Sequence, residues 1–232
     1  MIPLRDENPA RTTPYVLYGI IALNIIAFVY NGPLKLHGGN PLSGFELVPS
    51  ELITGKDIGL PTPVAPWVTI FTSMFIHANL LHIGINMLYL WIFGNNIEDV
   101  LGHFRFLFFY LLSGAGAAAA QVFVSPLTQI PMVGASGAIA GVLGAYLVLF
   151  PKARVISLYF IWIIALPASL ILGFWIILQI INSLLMESHG GGVAYAAHIG
   201  GFATGLILII LFGGQRLLRG RRPVEYRRSS RW

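Results

Sequence analysis

A few polar residues interrupt the apolar segments of this 232-residue chain, and their types and spacing could do chemistry. Ser136 lies in the run GASG, His198 lies in the run AHIGG, and His82 and Asn86 are four residues apart. Polar side chains at membrane depth are costly, so they are candidates for a functional role. A hydroxyl, an imidazole and an amide at one depth are the groups that acyl-transfer chemistry uses.

A serine hydroxyl becomes a nucleophile when a neighbouring base takes its proton, and neutral imidazole serves as that base near pH 7. We therefore predict that Ser136 and His198 are catalytic. None of the nine acidic residues neighbours His198 in the sequence, and only Glu187, in a predicted outer loop, is a candidate third member. The prediction is a Ser-His dyad. Its oxyanion site would be formed by the Ser136 backbone N–H, the Asn86 amide and the His82 ring.

Other hydrolytic chemistries lack the residues that they need. The chain has no cysteine, which excludes a thiolate nucleophile and a disulfide. The metalloprotease pattern HExxH is absent, and His77, His82 and His198 have poor spacing for a metal site. No predicted span has an acid in its interior, which excludes an aspartyl pair. We expect neither a metal nor a cofactor.

The composition is that of a membrane protein, because 56% of the residues are hydrophobic and only 10% are charged. A helix needs roughly 20 apolar residues to cross a bilayer core. We predict an all-α membrane protein with six transmembrane helices, the second of which continues through residue 99. These helices lie near residues 14–30, 80–93, 104–124, 134–150, 165–185 and 193–212.

Two local features bear on the ends of these spans. At the start of the first span, Thr13 is a candidate cap and Pro14 suits the first helical position. The apolar residues 155–164 either lengthen the fifth span or lie at the membrane interface. In the first case, Pro167 is expected to kink the helix.

Lys and Arg residues predict the orientation of the spans, because they concentrate in cytoplasmic flanks. Twelve of the 14 basic residues fall on one side and only Lys35 and Lys56 on the other, so both termini should be cytoplasmic. Seven arginines lie in the C-terminal tail directly after a span, which indicates contact with anionic lipid and not with nucleic acid. The connection 31–76 then faces outward and should fold against the edge of the bundle.

This topology brings the candidate residues to one depth. The second, fourth and sixth spans run from outside to inside. The four polar residues near their starts therefore lie within roughly 10 Å of the outer boundary. The fourth span is rich in glycine, and the sixth has small residues at four-residue spacing, which allows close contact between helices. A hydrogen bond between Ser136 and His198 requires such contact.

Four motifs in order give the chain a family resemblance. HxxxxHxxxN begins at His77, GxxxExxxG surrounds Glu98, and the two runs around Ser136 and His198 follow. With these motifs, the chain resembles the rhomboid intramembrane serine proteases of the prokaryotic six-span type. The resemblance implies a rhomboid-like bundle with a lateral outer loop between helices 1 and 2. It also implies a prokaryotic cell membrane and an active site that opens to the extracytoplasmic side.

The resemblance assigns roles to residues. It implies that Ser136 is the nucleophile, that His198 is the general base, and that His82 and Asn86 help to form the oxyanion site. A second set is expected to be structural, namely Gly134, Gly137, Glu98 and Gly201. Of these, Glu98 is expected to form hydrogen bonds near the lateral outer loop. The fifth span and its outer loop are expected to serve as gate and cap.

The chain departs from some members of that family at two places. Some relatives have a tyrosine one turn after the nucleophile that stacks on the catalytic imidazole, whereas this chain has Ala140. What orients His198 is therefore open. The outer loop also lacks the Trp-Arg pair of some relatives, and Trp67 and Thr72 stand before His77 instead. Neither departure removes a catalytic group.

The sequence thus predicts a protease that hydrolyses peptide bonds in or near transmembrane segments of other membrane proteins. Residues 1–13 would be a cytoplasmic N-terminal segment, residues 14–214 the protease domain and residues 215–232 an Arg-rich cytoplasmic tail. The expected partners are transmembrane substrates and membrane lipids, and the sequence indicates no oligomeric state. Two alternatives remain open: a non-catalytic relative that binds transmembrane helices, and a small transporter, which the absence of an inverted repeat disfavours.

Overall fold

The computed structural model describes residues 2–32, 41–58, 63–186 and 194–220. In chain order these residues form β1 (Ile2–Asp6), α1 (Tyr15–Tyr30), α2 (Pro49–Thr54), α3 (Thr69–Thr72), α4 (Leu80–Leu101), α5 (His103–Val124), α6 (Ser136–Leu149), β2 (Arg154–Tyr159), β3 (Trp162–Pro167), α7 (Ala168–Met186), α8 (Tyr195–Leu211) and α9 (Gly214–Arg219). Short 3₁₀ turns, Pro66–Val68 and Ser73–Phe75, flank α3. The long helices α1 and α4 to α8 begin and end within a few residues of the predicted spans, and α4 continues past residue 99, as predicted, to Leu101.

The centre of the bundle is α6, which α8, α5 and α4 surround. Most α6 side chains are buried, and they are small enough for neighbouring helices to approach closely. Large aromatic side chains fill the remaining core, and the fully buried ones include Phe93, Phe106, Phe109, Tyr110 and Tyr146. α7 packs chiefly against α8 and less against α6, so most of its side chains lie outside the core.

α6 and α8 touch backbone to backbone. A Cβ atom on Gly201 would overlap the carbonyl oxygen of Gly137, and one on Gly205 would overlap that of Gly141. A Cβ atom on Gly137 would come within 2.5 Å of the Ala117 Cβ on α5. The glycines therefore set how closely the three helices pack, as small residues do in membrane bundles.

By length and composition, two of the described helices could cross a membrane, His103–Val124 and Ala168–Leu185. A third candidate joins Pro66–Phe75 to Leu80–Leu101 across a bend of 83°. The apolar helices α1, α6 and α8 are shorter than this test requires. The described residues therefore contain two or three clear candidates, and they do not establish the predicted count of six.

The fold is mostly helical, as predicted, but it is not all-α, because the chain also forms a small antiparallel sheet in the order β1-β2-β3. The apolar residues 155–164 do not lengthen the fifth helix; they form most of the β2-β3 hairpin. Pro167 ends β3, and α7 begins directly after it at Ala168, so Pro167 kinks no helix. The hairpin is rich in β-branched and aromatic residues, which favour strands when another strand is available. β1 supplies that strand by pairing with β2.

The sheet lies at the end of the bundle where α6 ends. Asp6 of β1 accepts hydrogen bonds there from the Tyr146 hydroxyl at 2.6 Å and from the Asn96 Nδ2 atom at 2.8 Å. These bonds tie the N-terminal strand to α6 and α4. Arg154 begins β2 four residues after Phe150, so the whole sheet stays close to this end of the bundle.

Two acids at the end of α4 hold the start of α1. The fully buried Glu98 carboxylate accepts from the backbone N–H groups of Val16 at 3.0 Å and Leu17 at 2.7 Å, and it also contacts His103. The neighbouring Asp99 accepts from the Thr12 N–H and hydroxyl. A carboxylate suits the unpaired N–H groups at a helix N-terminus.

Two predictions about these residues are wrong. Thr13 does not cap α1 with its side chain, because Glu98 binds the free N–H groups of Val16 and Leu17 and Thr13 offers only its carbonyl oxygen. Glu98 does not lie near the loop between the first two long helices. That loop leaves the C-terminal end of α1, whereas Glu98 binds the N-terminal end.

The described part of the connection between α1 and α4 reaches the opposite end of the bundle, which we call the Ser136 end. Leu47 pairs with Met132 in an isolated antiparallel bridge, and Thr72 donates a hydrogen bond to the Phe45 carbonyl oxygen at 2.7 Å. These contacts attach the connection to the segment that precedes α6. Residues 33–40 and 59–62 of the connection lie outside the described residues.

Candidate active site

Ser136 and His198 are joined by a hydrogen bond of 2.8 Å between Oγ and Nε2. Ser136 is the first residue of α6, and His198 lies in the first turn of α8, which begins at Tyr195. The two side chains reach each other because their helices touch through glycine one turn further along, where Gly201 lies against Gly137. The helix contact thus determines this distance.

The segment before Ser136 has a conformation that requires glycine. Gly134 has a φ of +113°, and a Cβ atom there would come within 2.8 Å of the His82 ring. Its N–H donates to the Ser73 carbonyl oxygen at 2.9 Å, and the next N–H, of Ala135, donates to His77 Nε2 at 3.4 Å. The Ser136 turn is therefore fixed by the segment that leads into α4.

His82 and Asn86 line the same cavity as Ser136 and His198, and its volume is about 500 Å³. The Asn86 Nδ2 atom donates to the His82 carbonyl oxygen at 2.9 Å. A primary amide has a second N–H, which this bond does not use. The His82 ring lies edge-on to the buried His77 ring, with the ring centroids 5.0 Å apart. The structure thus brings together all four polar residues that the sequence analysis selected.

The group that orients His198 comes from α7, and the sequence analysis missed it. Gln179 Oε1 lies 2.8 Å from His198 Nδ1, and the Gln179 residue is only 9% exposed. The Trp175 ring, one turn earlier on α7, lies tilted against the imidazole with centroids 5.9 Å apart. The buried Ala140 occupies the tyrosine position, so α7 and not α6 supplies the aromatic ring.

A signal for Gln179 was present in the sequence. It is a polar residue within a mostly apolar span, which is the same criterion that selected Ser136 and His198, although Asn182 and Ser183 of the same span also meet it. About 17 Å of helix axis separates it from the start of α7, and this distance places it near the depth of Ser136. Glu187, the predicted candidate third member, lies outside the described residues.

A second glutamine supports the turn that carries the histidine. Gln121 Oε1 accepts from the Ala197 N–H at 3.3 Å, and Gln121 also lines the cavity. This N–H belongs to the first turn of α8 and has no partner within the helix. α5 therefore supports the residue next to His198.

Comparison with known proteins identifies the family of the chain. A family model described as the Rhomboid domain matches residues 65–215, which is more than half of the chain and includes every residue of the cavity described above. The chain belongs to the rhomboid family. The predicted resemblance is thereby confirmed. Membership of this family and the apolar composition both identify the chain as a membrane protein.

Three relatives illustrate the match. The putative rhomboid protease YdcA of Bacillus subtilis is 30% identical over 163 residues, which cover 69% of this chain and 74% of YdcA. The rhomboid protease GluP of the same organism is 30% identical over 88% of this chain and 38% of its own length. The mitochondrial rhomboid protein 1 of Saccharomyces cerevisiae is 29% identical over 82% of this chain and 51% of its own length. The chain therefore spans about half, or less, of the length of the last two relatives.

Proposed function

We propose that this rhomboid is an intramembrane serine protease that hydrolyses peptide bonds in or near transmembrane segments of other membrane proteins. The observation that carries the proposal is the 2.8 Å hydrogen bond between Ser136 Oγ and His198 Nε2, on a cavity of about 500 Å³. The names of YdcA and GluP, which describe those proteins as rhomboid proteases, add support.

In the proposed reaction, His198 Nε2 accepts the hydroxyl proton while Ser136 Oγ attacks the carbonyl carbon of the substrate. The imidazolium then gives that proton to the leaving amine as the C–N bond breaks. A water molecule, deprotonated by His198 Nε2, then hydrolyses the acyl-enzyme and regenerates the Ser136 hydroxyl. The oxyanion would be stabilised by the second Asn86 N–H, the His82 ring and the Ser136 N–H, which lies in the first turn of α6 and has no partner within the helix.

Gln179 and Trp175 act on the base and not on the substrate. A glutamine carbonyl oxygen at Nδ1 accepts the Nδ1–H of a neutral imidazole, which leaves the Nε2 lone pair free to accept from Ser136. Trp175 limits rotation of the ring by packing against it. We therefore include Gln179 as a positioning residue of the proposed dyad.

The proposed topology has six spans, formed by α1, α4, α5, α6, α7 and α8. Both termini would be cytoplasmic in a prokaryotic cell membrane, with the Ser136 end on the extracytoplasmic side and the connection 31–76 as a lateral outer loop. The proposed divisions are residues 1–13, 14–214 and 215–232. This topology rests on the distribution of Lys and Arg, although most tail arginines, from 221 onward, lie outside the described residues.

The proposed function is tested in liposomes that contain the protein and a labelled single-span substrate. We expect cleavage by the native chain and by Ser113→Ala, which removes a buried hydroxyl from α5 outside the cavity. Ser136→Ala and His198→Ala should abolish cleavage while their thermal unfolding stays close to that of the native chain.

Two results would contradict the proposal. Equal cleavage by Ser136→Ala would exclude Ser136 as the nucleophile. Retention of the substrate without cleavage by both the native chain and Ser136→Ala would favour a non-catalytic protein that binds transmembrane helices. A fluorophosphonate probe that labels native Ser136 but not the His198→Ala variant provides a check that needs no substrate.

A further inference from the structure

The tip of the β2-β3 hairpin exposes large apolar side chains at the end of the bundle opposite Ser136. Phe160 and Ile161 form the turn and are each 83% exposed, and the flanking Trp162 is 68% exposed. Two-residue hairpin turns usually contain Asn, Asp or Gly. Phe160 has a φ of +53°, a left-handed conformation that is costly for a bulky residue. A turn made of two large apolar residues, both highly exposed, indicates that the tip does not face water.

The hairpin continues directly into a helix that is a clear membrane-span candidate. β3 ends at Pro167 and α7 begins at Ala168, whose N–H donates to the Ala153 carbonyl oxygen at 2.8 Å. The next N–H, of Ser169, donates to the Pro151 carbonyl oxygen at 3.0 Å. The base of the hairpin is therefore fixed to the first turn of α7, where that helix enters the membrane.

The charges around the hairpin match a lipid surface. No charged residue occurs from residue 155 to residue 186, through the hairpin and the whole of α7. Lys152, Arg154 and Arg5 of β1 lie at the base of the hairpin, where basic residues outnumber the acids Asp6 and Glu7, and the Glu7 carboxylate lies 3.8 Å from Arg154 Nε. Aromatic side chains next to a basic group are typical of segments that lie in the membrane interface. Basic residues near the membrane surface attract anionic headgroups.

We propose that the β2-β3 hairpin is an interfacial anchor whose tip, residues 159–163, inserts among the lipids of the leaflet that α7 enters. The strands reach about 20 Å from their base, at about 3.3 Å per residue. That length lets the tip lie below the headgroups while Lys152 and Arg154 stay among them. The inference requires α7 to cross the membrane and is independent of proteolysis.

The native chain contains no cysteine, so a single cysteine can be labelled cleanly. Ile161→Cys is labelled with the fluorophore NBD and reconstituted in vesicles of phosphatidylcholine and phosphatidylglycerol at a ratio of about 3:1, chosen to present anionic headgroups. We expect acyl-chain nitroxide lipids to quench this label strongly and aqueous iodide to quench it weakly. Lys152→Cys, at the base of the same hairpin, is the matched control and should show the reverse.

Two outcomes would overturn the inference. Quenching of the Ile161 label by iodide and not by nitroxide lipid would place the tip in water. Protection from both quenchers would mean that protein covers the tip, for example a second copy of the chain. Ile163→Cys, on the flank of the turn, repeats the measurement in case the label at the tip disturbs the hairpin. Thermal unfolding of each labelled variant checks that the bundle remains intact.

Discussion

The sharpest prediction concerns Gln179, because it binds the proposed base and does not line the cavity. Gln179→Leu keeps the approximate volume of the side chain but removes the acceptor that lies 2.8 Å from His198 Nδ1. The buried Nδ1–H then has no partner in the tautomer that the dyad needs. Leaving a buried donor unsatisfied costs about 1–3 kcal/mol. The imidazole escapes this cost by moving its proton to Nε2, where it blocks proton transfer from Ser136.

The same cost sets the expected loss of rate. Since about 1.4 kcal/mol corresponds to a tenfold change, Gln179→Leu should lower kcat by about 5- to 150-fold. KM should change little, because Gln179 is not among the residues that line the cavity. Gln179→Glu retains an oxygen at the same place and should recover most of the activity. Gln179→Asn is one methylene shorter and should recover less.

The assay is proteolysis of a labelled single-span substrate in liposomes, with the rate of fluorophosphonate labelling at Ser136 as a second readout. Ser183→Ala is the matched control, since Ser183 is a buried polar residue one turn further along α7. Its activity should be unchanged. The reasoning would be refuted if Gln179→Leu had the native kcat. It would also fail if Gln179→Glu remained as slow as Gln179→Leu and both unfolded at lower temperature, since Gln179 would then only hold α7 in place.

Two further predictions concern stability. Gly201→Ala should destabilise the fold by about 1–3 kcal/mol through overpacking, which lowers the unfolding temperature. It should also slow cleavage, because it separates α6 from α8. Gly173→Ala, where a Cβ atom meets nothing within 4 Å, should have neither effect. Burial raises the pKa of Asp6 above its ordinary value of about 3.9. The folded state therefore binds the carboxyl proton of Asp6 more tightly than the unfolded state does. The free energy of unfolding should then fall as pH rises from the unfolded-state pKa to the folded-state pKa. In unfolding experiments from pH 4 to 7 that fall should be smaller in Asp6→Asn, and an identical pH profile would exclude Asp6 as its source.

The four polar residues Ser136, His198, His82 and Asn86 could be predicted because each lies in a short local pattern near the start of an apolar helix. Gln179 is also a polar residue in an apolar helix, but it lies in the middle of α7 and in a helix that runs the other way. Its depth follows from where α7 begins, and the predicted span start at residue 165 is close to the observed start at Ala168. Gln179 was missed because only acidic residues were considered as partners of His198.

The sheet could not be derived from residues 155–164 alone. Their apolar content is equally compatible with a helix, and the periodicity of hydrophobic residues does not distinguish a strand from a helix in so short a segment. The strand is favoured by β1, which lies about 150 residues earlier in the chain and pairs with β2. A hydrogen bond from the Tyr146 hydroxyl to Asp6 fixes β1 in this position. The cap of α1 is non-local in the same way, because the Glu98 carboxylate that binds its first N–H groups comes from the end of α4.

The length of α6 connects the fold to the proposed chemistry. Its 14 residues extend about 21 Å, whereas a bilayer core is about 30 Å thick. Tyr146 near its C-terminal end is bound to the sheet, which on the proposed topology lies at the cytoplasmic interface. Ser136 then cannot reach the other surface and must lie about 9 Å below it. On the proposed topology, the cavity that Ser136 lines would therefore lie below that surface, and we expect it to admit the water that hydrolysis needs without a path through lipid.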